Sequence, residues 1–229
     1  LPLAFTFIDL ALHDTYYVIG HFHYVVAPGS IFAFFAGVYH WYPKATGRKM
    51  SDFLGKLHFW PSLVGMNLVF APMFIQGMGG FHRRWYDGGK YFEQTSSASN
   101  WFTELTSGFF GLFGMEVPNN LLGLNVLMTF GAIILMLGQV PFILNFFLSI
   151  KGGDKVTSDN PWNCTTLEWA TPTPPPHGNF TFDIVAVRGP YEYSVPGMKQ
   201  DFFPQWESEP GKAAEPSSVP AAPAAPAHH

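Results

Sequence analysis

The stretch His13-Asp14-Thr15-Tyr16-Tyr17-Val18-Ile19-Gly20-His21-Phe22-His23-Tyr24 decides how the chain is read, because it gathers three of the nine histidines just ahead of a long apolar run. From Thr15 to Tyr42 there is no Lys, Arg, Asp or Glu. A histidine in such a run costs free energy unless its ring nitrogens find a proton partner or a metal. On an α-helix each residue turns by about 100°, so His21 and His23 point roughly 200° apart. A regular helix cannot offer both to one ion, since ligand pairs want i, i+3 or i, i+4 spacing. The pair therefore reads either as ligands to two centres on opposite sides of one helix, or as two buried histidines hydrogen-bonded to neighbouring helices.

The surroundings favour a membrane. Only 12% of the 229 residues are charged and 17% are aromatic, with 24 Phe, whereas a soluble domain carries about 25% charged residues. The mild net charge of −4 argues against nucleic-acid binding. The sole cysteine, Cys164, excludes an intrachain disulfide framework and a thiolate metal cluster. Leu1 follows no basic n-region or cleavage signal, so no signal peptide is read, and the chain is expected to begin mid-protein, as a fragment or one piece of a split subunit.

The expected fold is all-α and polytopic, with three transmembrane helices and an extended C-terminal tail. Residues 1–14 read as the end of a preceding membrane element and a surface segment. The first span covers 15–42, with Thr15 as its N-cap, Pro28-Gly29 inside it, and His40-Trp41-Tyr42-Pro43 as an aromatic belt and stop. Its 28 or so residues reach about 42 Å, enough for a hydrocarbon core of ~30 Å. Loop 43–56 carries Lys44, Arg48, Lys49 and Lys56 against Asp52, which marks it as cytoplasmic. A second span is expected over 57–78. The segment 79–119 follows on the outer side and includes Arg83, Arg84, Asp87, Lys90 and Glu93. Within it, Gly108–Gly114 is too short to span and is expected in the interface. The third span covers 120–149, with Lys151 and Lys155 inside. Residues 150–210 are rich in Pro and aromatics and read as an extended cytoplasmic segment laid on a partner surface. Residues 211–229, ending in His228-His229, are compositionally disordered. The Asn-X-Thr triplets at Asn163 and Asn179 fall on the inside, which argues against glycosylation.

Imidazoles inside a membrane find natural partners in haem irons, for which an axial His is common. His13 and Asp14 put a nitrogen and an oxygen donor side by side at the helix start, which suits a hard or borderline divalent ion held partly by water; an ordinary polar helix N-terminus is the competing reading. Arg83 and Arg84 suit bidentate pairing with carboxylates, such as haem propionates. His40 and His58 read as interfacial or helix-end residues, and the aromatic-rich spans as lipid-facing and packing surface.

The motif HDTYYVIGHFHY resembles the tenth-helix signature of subunit I of the haem-copper oxidases. The resemblance continues through HWYP, KLHFW and GGFHRRWYD over roughly the first ninety residues, and WNCTTLEWATPTPPP (162–176) resembles the tail of bacterial members. Residues 93–118 are less familiar. The resemblance implies His21 as the axial ligand of high-spin haem a3, where oxygen is reduced, and His23 as an axial ligand of low-spin haem a. It implies that Phe22 separates the two centres, that His13 and Asp14 bind Mg²⁺ or Mn²⁺, that Arg83 and Arg84 bind propionates, and that Asp9 lies near the high-spin haem's propionate. Quinol-fed relatives usually carry Asn where Asp14 and Tyr24 stand here, which favours a donor such as cytochrome c acting through a dicopper subunit II. Pro28 departs from the Ser or Met found before Gly in relatives. The copper-B ligands belong to earlier helices and have none in this chain. The implied partners are therefore the N-terminal part of subunit I, subunits II and III, cytochrome c, O₂ and membrane lipids. The implied location is the bacterial cytoplasmic membrane, or the mitochondrial inner membrane in a eukaryote, with the C-terminus on the cytoplasmic side. The rival readings are a quinol-fed oxidase and a non-catalytic membrane scaffold.

Overall fold

The computed structural model describes residues 2–85, 98–180, 183–194 and 202–207. Asp87, Lys90, Glu93 and the Pro/Ala tail with His228-His229 lie outside the described residues. The architecture is all-α, with no strand among the described residues. After a 3₁₀ turn at Pro2–Ala4 come α1 (Thr6–Leu12), α2 (Tyr16–Val26), a π-helical segment (Ala27–Phe32), α3 (Ala33–Thr46), α4 (Asp52–Met78), α5 (Trp101–Gly111) and α6 (Gly123–Gly152). Three stretches are long and apolar enough to cross a membrane: Tyr16–Thr46, Asp52–Met78 and Gly123–Gly152. Backbone contacts divide the chain into two units, 1–156 and 157–229.

Thr15 starts the first span. Its backbone is extended and its hydroxyl accepts from the Tyr17 N–H at 3.2 Å, which satisfies one of the donors orphaned at a helix start. The π segment coincides with Pro28. Proline has no N–H to return to the preceding turn, and widening the helix to i→i+5 bonding lets the ladder step past that gap. The first span does not stop at Tyr42. It runs through Pro43 to Thr46, and Gly47, at φ 70°, ends it. The Gly47 N–H donates to the Pro43 carbonyl at 2.9 Å and the Thr46 hydroxyl to the Tyr42 carbonyl at 2.8 Å. A left-handed glycine just past the last turn is a common helix stop, whereas a proline is tolerated inside a membrane helix where neighbouring groups re-satisfy the freed backbone.

α4 and α6 form the main seam of unit 1–156, side by side and antiparallel. Small residues set the approach. A Cβ on Gly65 would lie 2.7 Å from the Leu135 nitrogen, and one on Gly131 would lie 2.6 Å from the Leu68 Cβ. Gly138 faces Ser62 in the same way. Apolar area gives helices little reason to associate inside lipid, so close backbone packing and interhelical hydrogen bonds do this work. Asn145, 1% exposed, supplies such bonds, accepting from the Ser51 N–H at 2.8 Å and donating to the Ser51 carbonyl at 2.9 Å. This fixes the start of α4, which begins at Asp52, five residues before the apolar run at Leu57. His58 is not at a surface. It is buried, with Nδ1 3.3 Å from the Tyr39 hydroxyl and Nε2 3.2 Å from Gln139 Oε1.

The opposite end of the seam is closed by a small core of Phe81, Leu121 and Leu124, packed by Tyr16, Ile75 and Trp85. Complete burial of Phe81 contributes roughly 2 kcal/mol. Gln76, also fully buried, donates to the Leu121 carbonyl at 2.8 Å and to Asn125 Oδ1 at 2.9 Å.

The described residues of unit 157–229 are mostly irregular, but segments of them bind one another. Gln205 donates its N–H to the Thr165 carbonyl at 2.8 Å and accepts from the Leu167 N–H at 3.2 Å, while the Val187 N–H donates to the Gln205 carbonyl at 2.9 Å. Trp169, in a 3₁₀ turn (Leu167–Ala170), and Phe203 are buried, and the Arg188 guanidinium lies 5.1 Å over the Phe203 ring.

Candidate functional site

Two residue groups predicted from sequence meet at the start of α2. The chain turns at His13-Asp14 because Asp14 adopts a left-handed conformation, φ 57°, which aspartate tolerates better than most residues. The Arg-Arg segment comes alongside through an isolated antiparallel bridge between Thr15 and His82. The Tyr16 N–H donates to the Phe81 carbonyl and the Arg83 N–H to the Asp14 carbonyl, both at 2.9 Å. The Phe81 core anchors one side of this bridge and the Thr15 cap the other. The Arg83 guanidinium then pairs with the Asp14 carboxylate, with Nε 2.7 Å from Oδ1 and Nη2 also in contact. The His13 Nε2 stands 3.2 Å from Oδ2 of the same carboxylate. The hydrogen bond from Arg83 holds the Asp14 carboxyl below its ordinary range, aided by the charges of Arg83, His13 and Arg84 and opposed by partial desolvation.

The two arginines diverge. Arg84 is left-handed too, at φ 69°, and is exposed while Arg83 is partly covered. One guanidinium is engaged within the chain and the other is presented outward. Asp9 lies in the first turn of α1; its backbone carbonyl accepts the His13 N–H at 2.6 Å, and its carboxylate makes no ion pair among the described residues. No group of three or more His, Cys, Asp and Glu suited to a metal ion occurs among the described residues. His13 and Asp14 thus offer two donors, and a bound ion would need its other ligands from water or other chain segments.

His21, Phe22 and His23 lie in the regular part of α2, so the two imidazoles leave the helix on different sides. Gly20 lets α2 approach α4 closely: a Cβ there would stand 3.2 Å from the Phe70 carbonyl. The His23 ring stacks on Phe70, with centroids 4.3 Å apart and planes at 13°, and its Nδ1 lies 2.8 Å from the Ile19 carbonyl. A carbonyl only accepts, so this contact puts the proton on Nδ1 and leaves the Nε2 lone pair available to a metal. Such a bond to the second ring nitrogen is the usual support of a metal-ligating histidine. His21 is exposed, with no hydrogen bond among the described residues. Phe22 is 43% exposed, its ring 4.2 Å from that of His23. An axial haem ligand needs an unencumbered imidazole nitrogen, and the exposed His21 ring and the Nε2 of the partly covered His23 have no hydrogen bond among the described residues.

Sequence reasoning missed Phe81 and Gln76, which hold the Arg83 segment and the start of α6 together. An uncharged polar residue such as Gln76 inside an apolar span was the available signal.

Three membrane-length helices, with no strand among the described residues, define an all-α integral membrane protein, and α2 sets two imidazoles on different sides of one of them. The family model described as cytochrome c and quinol oxidase polypeptide I matches residues 1–134. Cytochrome c oxidase subunit 1 of Synechocystis sp. is 41% identical over 187 residues, covering 82% of this chain and 28% of that protein. Alternative cytochrome c oxidase subunit 1 of Bradyrhizobium diazoefficiens is 38% identical over 210 residues, 91% of this chain and 32% of that protein. Cytochrome c oxidase subunit 1 of Thermostichus vulcanus is 38% identical over 190 residues, 82% and 29% of the two chains. The chain belongs to the cytochrome c and quinol oxidase polypeptide I family. It spans about 30% of the length of these relatives. Haem and copper are the cofactors that membership implies in general.

Proposed function

We propose that this chain is the C-terminal part of the catalytic subunit of a cytochrome c oxidase, and that α2 carries axial ligands for two haems. The observation that supports it most is the placement of His21 and His23 on different sides of one regular helix, with the His23 Nδ1 proton tied to Ile19. His21 would ligate the high-spin haem a3 iron and His23 the low-spin haem a iron. Bound haem, with the copper B held by earlier helices, supplies the electron transfer and the four-electron reduction of O₂ to water, coupled to proton pumping.

The chain's own residues position and insulate. The Ile19 carbonyl fixes the tautomer of His23 and raises its basicity, and the Phe70 ring fixes its plane. Phe22 fills the space between the two imidazole directions, and the short covalent path from His23 to His21 favours rapid electron transfer. Arg84, exposed and always charged, would meet a propionate. Arg83, already neutralised on one edge by Asp14, would present its remaining donors to another. Asp9 would sit beside the high-spin haem's propionate. His13 and the outward oxygen of Asp14 would hold Mg²⁺ or Mn²⁺ between this end of the helix and partner residues. The partners in this reading are the N-terminal part of subunit I, a dicopper subunit II, subunit III, cytochrome c and membrane lipids, with the C-terminus on the cytoplasmic side.

A reduced-minus-oxidised optical spectrum of the whole oxidase tests the reading. Haem a bands are expected, with electrons entering from cytochrome c and a dicopper subunit copurifying. His21→Ala should abolish oxygen and CO reactivity while keeping much of the low-spin signal, and His23→Ala should remove the low-spin signal. Normal turnover of either variant overturns that ligand assignment, and a complex without haem a bands overturns the haem type.

A further inference from the structure

Helix α5 and the turn after it play no part in the geometry around His21 and His23, yet they present a large unpartnered apolar face. Trp101, Leu105, Phe109 and Leu112 recur at spacings of three and four and share one side of the helix. All are exposed, Leu112 by 83%. The opposite side is bound to the spanning helices. Phe110 is buried in a cluster with Val117 and Leu127, against which Leu68 packs, and its ring meets Phe130 edge-on at 5.7 Å. We infer that α5 and its return turn form a wedge seated in the lipid leaflet on the Arg83 side, with the exposed stripe among acyl chains.

Depth carries the inference. Leu68 lies about 15 Å along α4 from its end at Met78, and Phe130 about 10 Å into α6 from Gly123. The two helices are about 40 and 45 Å long, so each end projects only about 5–7 Å beyond a ~30 Å hydrocarbon core. The level of Phe110 therefore falls about 3 Å inside the acyl region measured along α6 and about 10 Å inside measured along α4, a range that spans the roughly 5–10 Å at which interfacial helices bury their apolar faces.

The backbone is equipped for that depth. Asn100 caps the helix in a reciprocal capping box with Thr103. In the turn, Phe113 N–H donates to the Phe110 carbonyl, Gly114 N–H to the Gly111 carbonyl and Met115 N–H to the Phe110 carbonyl, at 3.0–3.1 Å, and the Ser107 hydroxyl bonds the Val117 carbonyl at 2.8 Å. Irregular backbone near lipid requires such internal satisfaction. Phe130 and Ile133 of α6, a spanning helix, are exposed apolar residues as well. The exposed acids Glu104 and Glu116 lie near the two ends of the wedge.

The test is spin-label accessibility in the whole oxidase reconstituted into phospholipid bilayers, using Leu105→Cys, Phe109→Cys and Leu112→Cys with Glu104→Cys as the boundary control. Labels at 105, 109 and 112 should collide with oxygen and be shielded from a water-soluble nickel chelate, while the label at 104 meets the chelate. Chelate access at all four positions overturns the inference in favour of a solvated helix. Immobile labels shielded from both reagents overturn it in favour of a covering protein partner. Independently of any substitution, a phospholipid with a diazirine in its acyl chain should label residues 101–113 of the native oxidase. Labelling of α6 without labelling of α5 overturns the lipid assignment.

Discussion

Asp14 divides its carboxylate between two neighbours, Oδ1 towards Arg83 and Oδ2 towards His13. The folded-state pKa is lowered, so the stabilisation of this pairing is present at neutral pH and is lost as pH falls through that lowered value. The left-handed backbone at Asp14 and Arg84 costs on the order of 1–2 kcal/mol at each position and is held by the Thr15–His82 bridge between them. In the proposed divalent site, Asp14→Ala in the whole oxidase should weaken Mn²⁺ binding by about 10–100-fold while both haems stay in place, as followed by Mn²⁺ paramagnetic resonance. Unchanged Mn²⁺ signals would leave Asp14 as a plain polar helix start that orients Arg83. Arg83→Leu should shift the low-spin haem potential more than the Mn²⁺ affinity if its free edge meets a propionate, and redox titration of the variant measures this.

The seam between α4 and α6 depends on residues that have no side chain to offer. Gly131→Leu should destabilise the assembly by about 1–3 kcal/mol, because even its Cβ meets Leu68 at 2.6 Å and the Leu68 backbone carbon at 3.0 Å. Gly108→Ala in α5 is the contrasting change. Nothing lies within 4 Å of a Cβ there, and alanine favours helix by about 1 kcal/mol over glycine. Thermal unfolding of the two purified variants should therefore move in opposite directions, and a destabilised Gly108→Ala would show that α5 is tightly covered. The π segment at Pro28 belongs to this scale as well, since it fixes the direction in which α3 continues from the helix bearing His21 and His23.

Across unit 1–156, the basic loop after α3 and the end of α6 lie at one end of the helices. Arg48 Nη1 donates to the Gly153 carbonyl at 2.7 Å, Lys49 N–H to the Asp154 carbonyl at 2.9 Å and Val156 N–H to the Gly47 carbonyl at 3.0 Å. Lys44, Arg48, Lys49, Lys151 and Lys155 thus crowd one membrane face, while Arg83 and Arg84 stand at the other end of α4. In the proposed orientation, which follows the positive-inside rule, the crowded face is the cytoplasmic one. A fluorescent protein fused after His229 of the whole subunit should be bright in cells, and alkaline phosphatase at the same place should be inactive. The reverse pattern would invert the orientation of the whole chain and the side assigned to the His13-Asp14 site.

The sequence alone determined what local energetics can enforce. Charge-free runs long enough for a bilayer announced three spans, because an ionised side chain in hydrocarbon is costly wherever the chain goes. The extended Thr15 announced the start of α2, and the odd spacing of His21 and His23 put the two rings on different sides of it. Tertiary structure decided the rest. The pairing of Asp14 with Arg83 joins residues far apart in the chain, through a bridge that no periodicity encodes. The helix outran Pro43 because the left-handed Gly47 ends it. His58 proved buried because α6 brings Gln139 to it. The place of α5 followed from Phe110 finding Phe130 and Leu127. Each of these depends on close packing between separate helices, and packing is a property of the assembled surfaces that no single stretch of sequence contains.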